Sequence, residues 1–158
     1  MPIESAYLAL GSNLGDRRRH LDAAVGAVAA LPGVSGLRLS RVRETAPVGP
    51  QDQGAFLNAV AEIRTTLGPA DLLAALLAVE ARLGRPARDQ RRHWGPREID
   101  LDLLMLGGQR VNADGLTLPH PRLHERRFVL EPLHDLTPDA VVSGTGRTVA
   151  ELLARLRR

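Results

Sequence analysis

Short apolar runs and helical periodicities alternate along the chain, with Gly and Pro between them. Ala6-Tyr7-Leu8-Ala9-Leu10 reads as a buried first strand. It runs into Gly11-Ser12-Asn13-Leu14-Gly15-Asp16, a turn-rich loop. Asp16 can cap a helix whose apolar face is Leu21, Val25, Val28 and Leu31, and Pro32-Gly33 ends it. A second, Arg-rich strand is expected from Leu37 to Glu44 and a third from Phe56 to Thr66. Between them, Thr45 to Gly54 holds two prolines and two glycines. Loops of that length are usually functional or mobile, although a plain surface connection also fits. Gly68-Pro69 opens a second helix, with Leu72, Leu73, Leu76, Leu77 and Leu83 on its apolar face and Gly84-Arg85 at its end. Glu80 lies on or beside that face and reads first as a rim residue.

After an arginine-dense stretch from Pro86 to His93 comes an apolar strand through Ile99, Leu101, Leu103 and Leu104. Gly107-Gly108 turns the chain, and Arg110-Val111-Asn112 reads as a short return strand. Leu116 to Pro121 is extended, because a residue before proline is pushed out of the helical region. A short helix is expected over Phe128 to Leu133. Thr148-Val149-Ala150-Glu151 is a capping box for a last helix with Leu152, Leu153 and Leu156. The order strand, helix, two strands, helix, strand predicts an α+β, ferredoxin-like layered sheet with a small C-terminal extension. One domain over residues 1–158 is expected.

The chemistry concentrates in His93-Trp94-Gly95-Pro96-Arg97-Glu98-Ile99-Asp100-Leu101-Asp102-Leu103-Leu104. Side chains two apart on a strand share a face, so Asp100 and Asp102 sit together opposite Ile99, Leu101 and Leu103. Asp is depleted in strands, and two on one face repel unless something positive lies between them. Mg²⁺ is a natural filler, because it takes one or two carboxylates and completes its shell with water and phosphate oxygens. Arg97 upstream offers a planar fork suited to phosphate. A solvated face paired with nearby arginines is the bland alternative.

Composition narrows the choice of partners. Apolar residues make up 44% and charged residues 25%, as in an ordinary globular protein. No apolar run reaches membrane-spanning length, and Met1-Pro2-Ile3-Glu4 does not read as a signal peptide. Zero cysteines exclude disulfides and thiol chemistry, and permit a cytoplasmic location. All 21 basic residues are Arg, which removes Schiff-base chemistry and a P-loop lysine. A net charge of +3 suits a polyanionic partner, either a nucleotide triphosphate or a nucleic acid. A nucleic-acid module is disfavoured by the acidic pair and by only four aromatic residues, too few for a stacking platform.

The Pro-Arg pair, two residues, Asp-Leu-Asp and two aliphatics resemble the signature of the 6-hydroxymethyl-7,8-dihydropterin pyrophosphokinases of the folate pathway. The Gly11-Ser12-Asn13 opening is similar too. The resemblance runs from Leu8 to about Leu133. It implies transfer of pyrophosphate from ATP to the pterin hydroxymethyl group, with two Mg²⁺ on Asp100 and Asp102. It implies catalytic roles for Arg85, Arg97, Asp100 and Asp102. The pterin would be held by Phe56 and Phe128 as stacking walls and by Asn58, with Thr45, Pro47, Val48, Trp94 and Asp100 around it. ATP would meet Glu80, Arg85, Trp94, Arg97 and Ile99 on one side, and Thr117, His120 and Arg126 on the other. The Arg85 to Trp94 lid is about two residues longer than in the best-known members of the family, and His93 stands where an Arg is often found. Arg88, Arg91 and Arg92 are therefore alternatives for phosphate contact. A monomer without nucleic-acid or membrane partners is expected, and a homologue without activity is the remaining alternative.

If Arg85 acts on the transition state, Arg85→Ala lowers kcat far more than it weakens ATP binding. Kinetics beside an ATP titration check this, and equal losses in both would make Arg85 a ground-state ligand.

Overall fold

The computed structural model describes residues 2–46, 54–84, 99–113 and 115–156. Its frame is a sheet of Glu4–Ser12 (β1), Val34–Leu39 (β2), Arg43–Thr45 (β3), Phe56–Thr65 (β4) and Asp100–Leu106 (β5). The order is β2-β4-β1-β5, with β3 also on β4, and all pairings are antiparallel. Helices Arg17–Ala29 (α1) and Pro69–Arg82 (α2) connect β1 to β2 and β4 to β5. Each helix thus joins parallel strands that have another strand between them, which is the split βαβ arrangement of the expected ferredoxin-like class.

Alternation along the strands sorts two cores onto the two faces. Ala6, Leu8, Leu10, Ala61, Ile63, Leu101 and Leu103 pack against α1 and α2. Tyr7, Val60, Leu104 and Met105 pack on the other face against Arg127–Leu136 (α3) and Val149–Leu156 (α4). Asp16 caps α1 as expected, accepting from the Arg19 N–H at 3.1 Å. The α1 stripe includes Ala24 as well as Leu21 and Val28. The α4 capping box closes in both directions, Thr148 N–H to Glu151 Oε1 at 3.0 Å and Glu151 N–H to Thr148 Oγ1 at 3.1 Å.

Several elements differ from the sequence reading. Gly11 and Ser12 belong to β1, since both pair with β4. The single strand from Leu37 to Glu44 is two strands. Ser40 interrupts it, because its hydroxyl accepts the Val60 N–H at 2.9 Å in place of a ladder carbonyl. β2 begins earlier, at Val34, and carries a bulge with Gly36 at φ +60°. The return strand Val111–Ala113 (β6) pairs with Leu116–Leu118 (β7) in its own ribbon rather than with the sheet. Helix α3 extends to Leu136 through Pro132. A final ribbon pairs Val141–Val142 (β8) with Arg147–Thr148 (β9).

One ion pair ties the sheet to α3, and a second, within the sheet, belongs to an arginine that also bonds the end of that helix. Arg43 grips Asp135 with both amines, at 2.8 and 2.9 Å, and the Arg41 N–H adds a third bond at 3.2 Å. Arg38 bonds Glu62 at 2.7 Å and the Leu136 carbonyl at 3.3 Å. The arginine hydrogen bonds hold both carboxyls below their ordinary values, against the smaller opposing effect of burial. A depressed carboxyl contributes stability that is fully present above its unfolded pKa and is lost as pH falls through the folded one. The unfolded reference values are 3.8 for Asp135 and 4.5 for Glu62. Urea midpoints should therefore fall as pH drops below these values, and less steeply in Asp135→Asn. An identical pH profile in the variant would remove Asp135 from the acid response.

Candidate active site

The two acids open β5, at the end of the face that α3 and α4 cover elsewhere. Asp102 lies opposite Ala9 and Asp100 opposite Gly11 on β1. One strand further, Gly11 lies opposite Asn58 on β4, and Asn58 opposite Arg43 on β3. Directly paired residues share a face. Arg43, Asn58, Gly11 and Asp100 therefore form one row across four strands, with Asp102 in the next. The acids are half-buried, whereas Tyr7, Val60 and Leu104 further along the same face are buried.

Gly11 is a site residue that the loop assignment missed. A Cβ there would stand 3.0 Å from Asn58 Oδ1 and 3.5 Å from Phe56 Cδ1. The missing side chain lets the amide and the ring close over the strand. A glycine beside an apolar strand was the available signal, since glycine in a strand marks close approach. Asn58 Nδ2 donates to the Thr45 hydroxyl. Thr45 pairs with Phe56 across β3 and β4. The structure thus brings Thr45, Phe56 and Asn58 together at one end of the row.

At the other end, Phe128 sits in the first turn of α3, half-buried against the core of that face. Arg126, the residue before the helix, places its guanidinium 5.6 Å from the Phe128 ring centre. Burial lowers the Arg126 pKa, and Asp102 followed by Asp100 opposes that. The guanidinium therefore belongs to the same electrostatic group as both acids. Its charge persists, as arginine does not deprotonate in proteins.

His120 closes this side. Its N–H donates to the Leu104 carbonyl at 2.8 Å, and Nδ1 accepts the Arg122 N–H at 3.2 Å. Burial lowers its pKa first, Arg126 and Arg122 lower it further, and Asp100 partly opposes them. With the ordinary value at 6.5, the imidazole is neutral at pH 7. A cavity of about 260 Å³ opens beside β5, lined by Leu73, Asp102, Leu103, Thr117, His120 and Pro121 among others. Thr117 and His120 thus share a pocket with one of the acids.

Two expected residues sit deeper than a rim. Glu80 is only 1% exposed, and its Oε2 accepts the Leu101 N–H at 2.7 Å. Among the described residues β5 is an edge strand, so the buried carboxylate supplies the acceptor that a further strand would have offered. The rim reading is corrected: Glu80 joins α2 to β5 between the two acids. The Ile99 side chain lies wholly in the α1/α2 core. Pro47, Val48, Arg85, Arg88, Arg91, Arg92, Trp94 and Arg97 lie outside the described residues. Among the described residues, no group of three or more His, Cys, Asp or Glu could hold a metal. The donor set is the carboxylate pair, which fits Mg²⁺ completed by water and phosphate better than a metal needing an all-protein cage.

Comparison with known proteins identifies the family. The profile described as 7,8-dihydro-6-hydroxymethylpterin-pyrophosphokinase matches residues 7–138. A 2-amino-4-hydroxy-6-hydroxymethyldihydropteridine pyrophosphokinase of Methylorubrum extorquens is 46% identical over 151 residues, covering 96% of this chain and 92% of the relative. The protein of that name from Pseudomonas aeruginosa is 45% identical over 152 residues, covering 96% and 91%. Among solved structures, the wild-type HPPK-DHPS of Plasmodium falciparum with pterin and p-hydroxybenzoate superposes with a TM-score of 0.75 at 15% identity. That match covers 98% of this chain and 42% of the solved one, so this chain spans less than half of it and the likeness is one of fold. On the profile and the identity to full-length relatives, the chain belongs to the 7,8-dihydro-6-hydroxymethylpterin-pyrophosphokinase family.

Proposed function

We propose that the row from Phe56 and Asn58 to Asp100 and Asp102 is where this pyrophosphokinase joins its two substrates. The protein transfers pyrophosphate from ATP to 6-hydroxymethyl-7,8-dihydropterin in folate synthesis, giving AMP and the pterin diphosphate. One observation carries the assignment of residues. A single sheet face presents an aromatic and an amide at one end and two carboxylates at the other, with a 260 Å³ cavity beside Asp102.

In the reaction the pterin hydroxyl attacks the β-phosphorus and AMP leaves in line. Little covalent work falls to the protein, so positioning and charge neutralisation dominate. Phe56 and Phe128 are the flat walls for the pterin ring, and Asn58 reads its polar edge from an amide turned by Thr45. Thr117 and the neutral His120 line the nucleotide side. Arg126 faces the phosphates with a charge held by its ring contact and by the two acids. Arg85 and Arg97 are assigned the triphosphate on the sequence motif. Asp100 and Asp102 would hold Mg²⁺, two ions in this reading, which would supply neutralisation of phosphate charge and a more acidic hydroxyl. Glu80 keeps β5 in place beneath them. We assign no general base. One monomeric, cytoplasmic domain completes the reading; among the described residues no helix is long and apolar enough to cross a membrane.

AMP release, followed in an assay with ATP, Mg²⁺ and 6-hydroxymethyl-7,8-dihydropterin, should require all three. Asp102→Ala should lower it by about a thousandfold or more while circular dichroism stays unchanged. A folded variant that turns over near the wild-type rate would end the metal-site assignment.

A further inference from the structure

The Arg43–Asp135 pair is more than a surface link. Both side chains are partly covered, with 21% and 27% of their surface exposed, and the contact is a two-pronged fork. Its two ends sit on the two pieces that form the pterin slot. Arg43 faces Asn58 across the β3–β4 ladder, two residues before Thr45, whose hydroxyl takes the Asn58 amide hydrogen. β3 has only three residues, and its pairing in the sheet is with β4. So short a strand has little ladder to hold it in place.

Asp135 sits seven residues after Phe128 on α3. Seven residues are close to two full turns, so the two side chains share a helix face, about 10 Å apart along the axis. Within this span Pro132 cannot donate to the Phe128 carbonyl, so the helix ladder is interrupted just behind the aromatic. The ladder alone is therefore a weaker spacer for Phe128, and the Asp135 contact adds to the hold of the buried Leu130 and Leu133. The Arg41 N–H strengthens that contact on Asp135.

We infer that Arg43 and Asp135 are positioning residues for pterin recognition, a clamp that sets the gap between Phe128 on α3 and the Thr45–Asn58–Phe56 wall on β3 and β4. The inference rests on the reading of Asn58 and Phe128 as pterin contacts. The clamp touches neither substrate. It acts mainly on the pterin, because Thr117, His120 and the acids belong to β5 and the segments before α3, and Arg126, the residue before that helix, is the one assigned nucleotide contact it adjoins.

Equilibrium titration of the full chain with 6-hydroxymethyl-7,8-dihydropterin, followed by pterin fluorescence, tests it beside a separate ATP titration. Asp135→Asn should raise the pterin dissociation constant about tenfold and that for ATP by far less, a size within the coupling seen for contacting residues. Arg43→Ala should do the same, and the double variant should be no worse than either. Arg43→Lys, which keeps the charge and loses the fork, should fall between and serves if Asp135→Asn does not fold. Asn58→Ala is the control. If Asn58→Ala weakens pterin binding but folded Asp135→Asn does not, the clamp is overturned and the slot stands. Equal loss of pterin and ATP affinity in Asp135→Asn overturns the clamp in favour of general loosening. No effect of Asn58→Ala overturns the slot itself, and the clamp with it.

Discussion

A slip of one residue between β5 and β1 would turn Asp100 and Asp102 into the α1/α2 core and push Leu101 and Leu103 out of it. Strand side chains alternate with a period of two, so no intermediate arrangement exists. Burying two unpaired carboxylates costs several kcal/mol each, far more than any local gain could return. The core and the site are therefore set by one register. Three contacts hold it: the β1 ladder, the Glu80 carboxylate on the Leu101 N–H, and the His120 N–H on the Leu104 carbonyl. A bulge follows, and it places Leu104 and Met105 together on the α3/α4 face. The strand thus passes from a face bearing acids to a face that is wholly apolar within a few residues.

The same face is used twice, and the gradient along it is functional. Where α3 and α4 lie on it, Tyr7, Val60, Leu104 and Met105 make a closed core. Beyond Phe128 the helices no longer seal it, and Asn58, Asp100 and Asp102 are reached from outside. Arg126 marks the transition. It covers the Phe128 ring on one side and faces the acids on the other. A cation that must stay charged while partly buried is better made from Arg than from Lys, and this chain has no Lys at all.

Most of the order of elements was legible, because each rests on a local signal. Asp16 capping α1, Gly68-Pro69 opening α2 and the box at Thr148 and Glu151 satisfy backbone groups within a few residues of themselves. The errors fall where a distant partner decides. Ser40 breaks a strand because Val60, twenty residues on, donates to its hydroxyl. Glu80 looks like a rim residue on its own helix and is buried because β5 needs an acceptor there. β6 turns to β7 because the Ala113 to Leu116 hairpin is local, whereas the outer edge of β5 is taken up by Glu80 and His120.

For the site, the chemistry of each residue was written in the sequence. Two acids two apart on a strand must share a face, and a motif around them carried the family. Alternation is a property of the backbone and needs no tertiary contact. The row of Asn58, Gly11 and Asp100 could not be read this way, because it crosses three strands that lie far apart in the chain. Nor could the neutral state of His120, which follows from burial and two nearby arginines, or the grip of Arg43 on Asp135 across 92 residues. Such facts depend on which surfaces the chain brings together, and only the folded packing decides that.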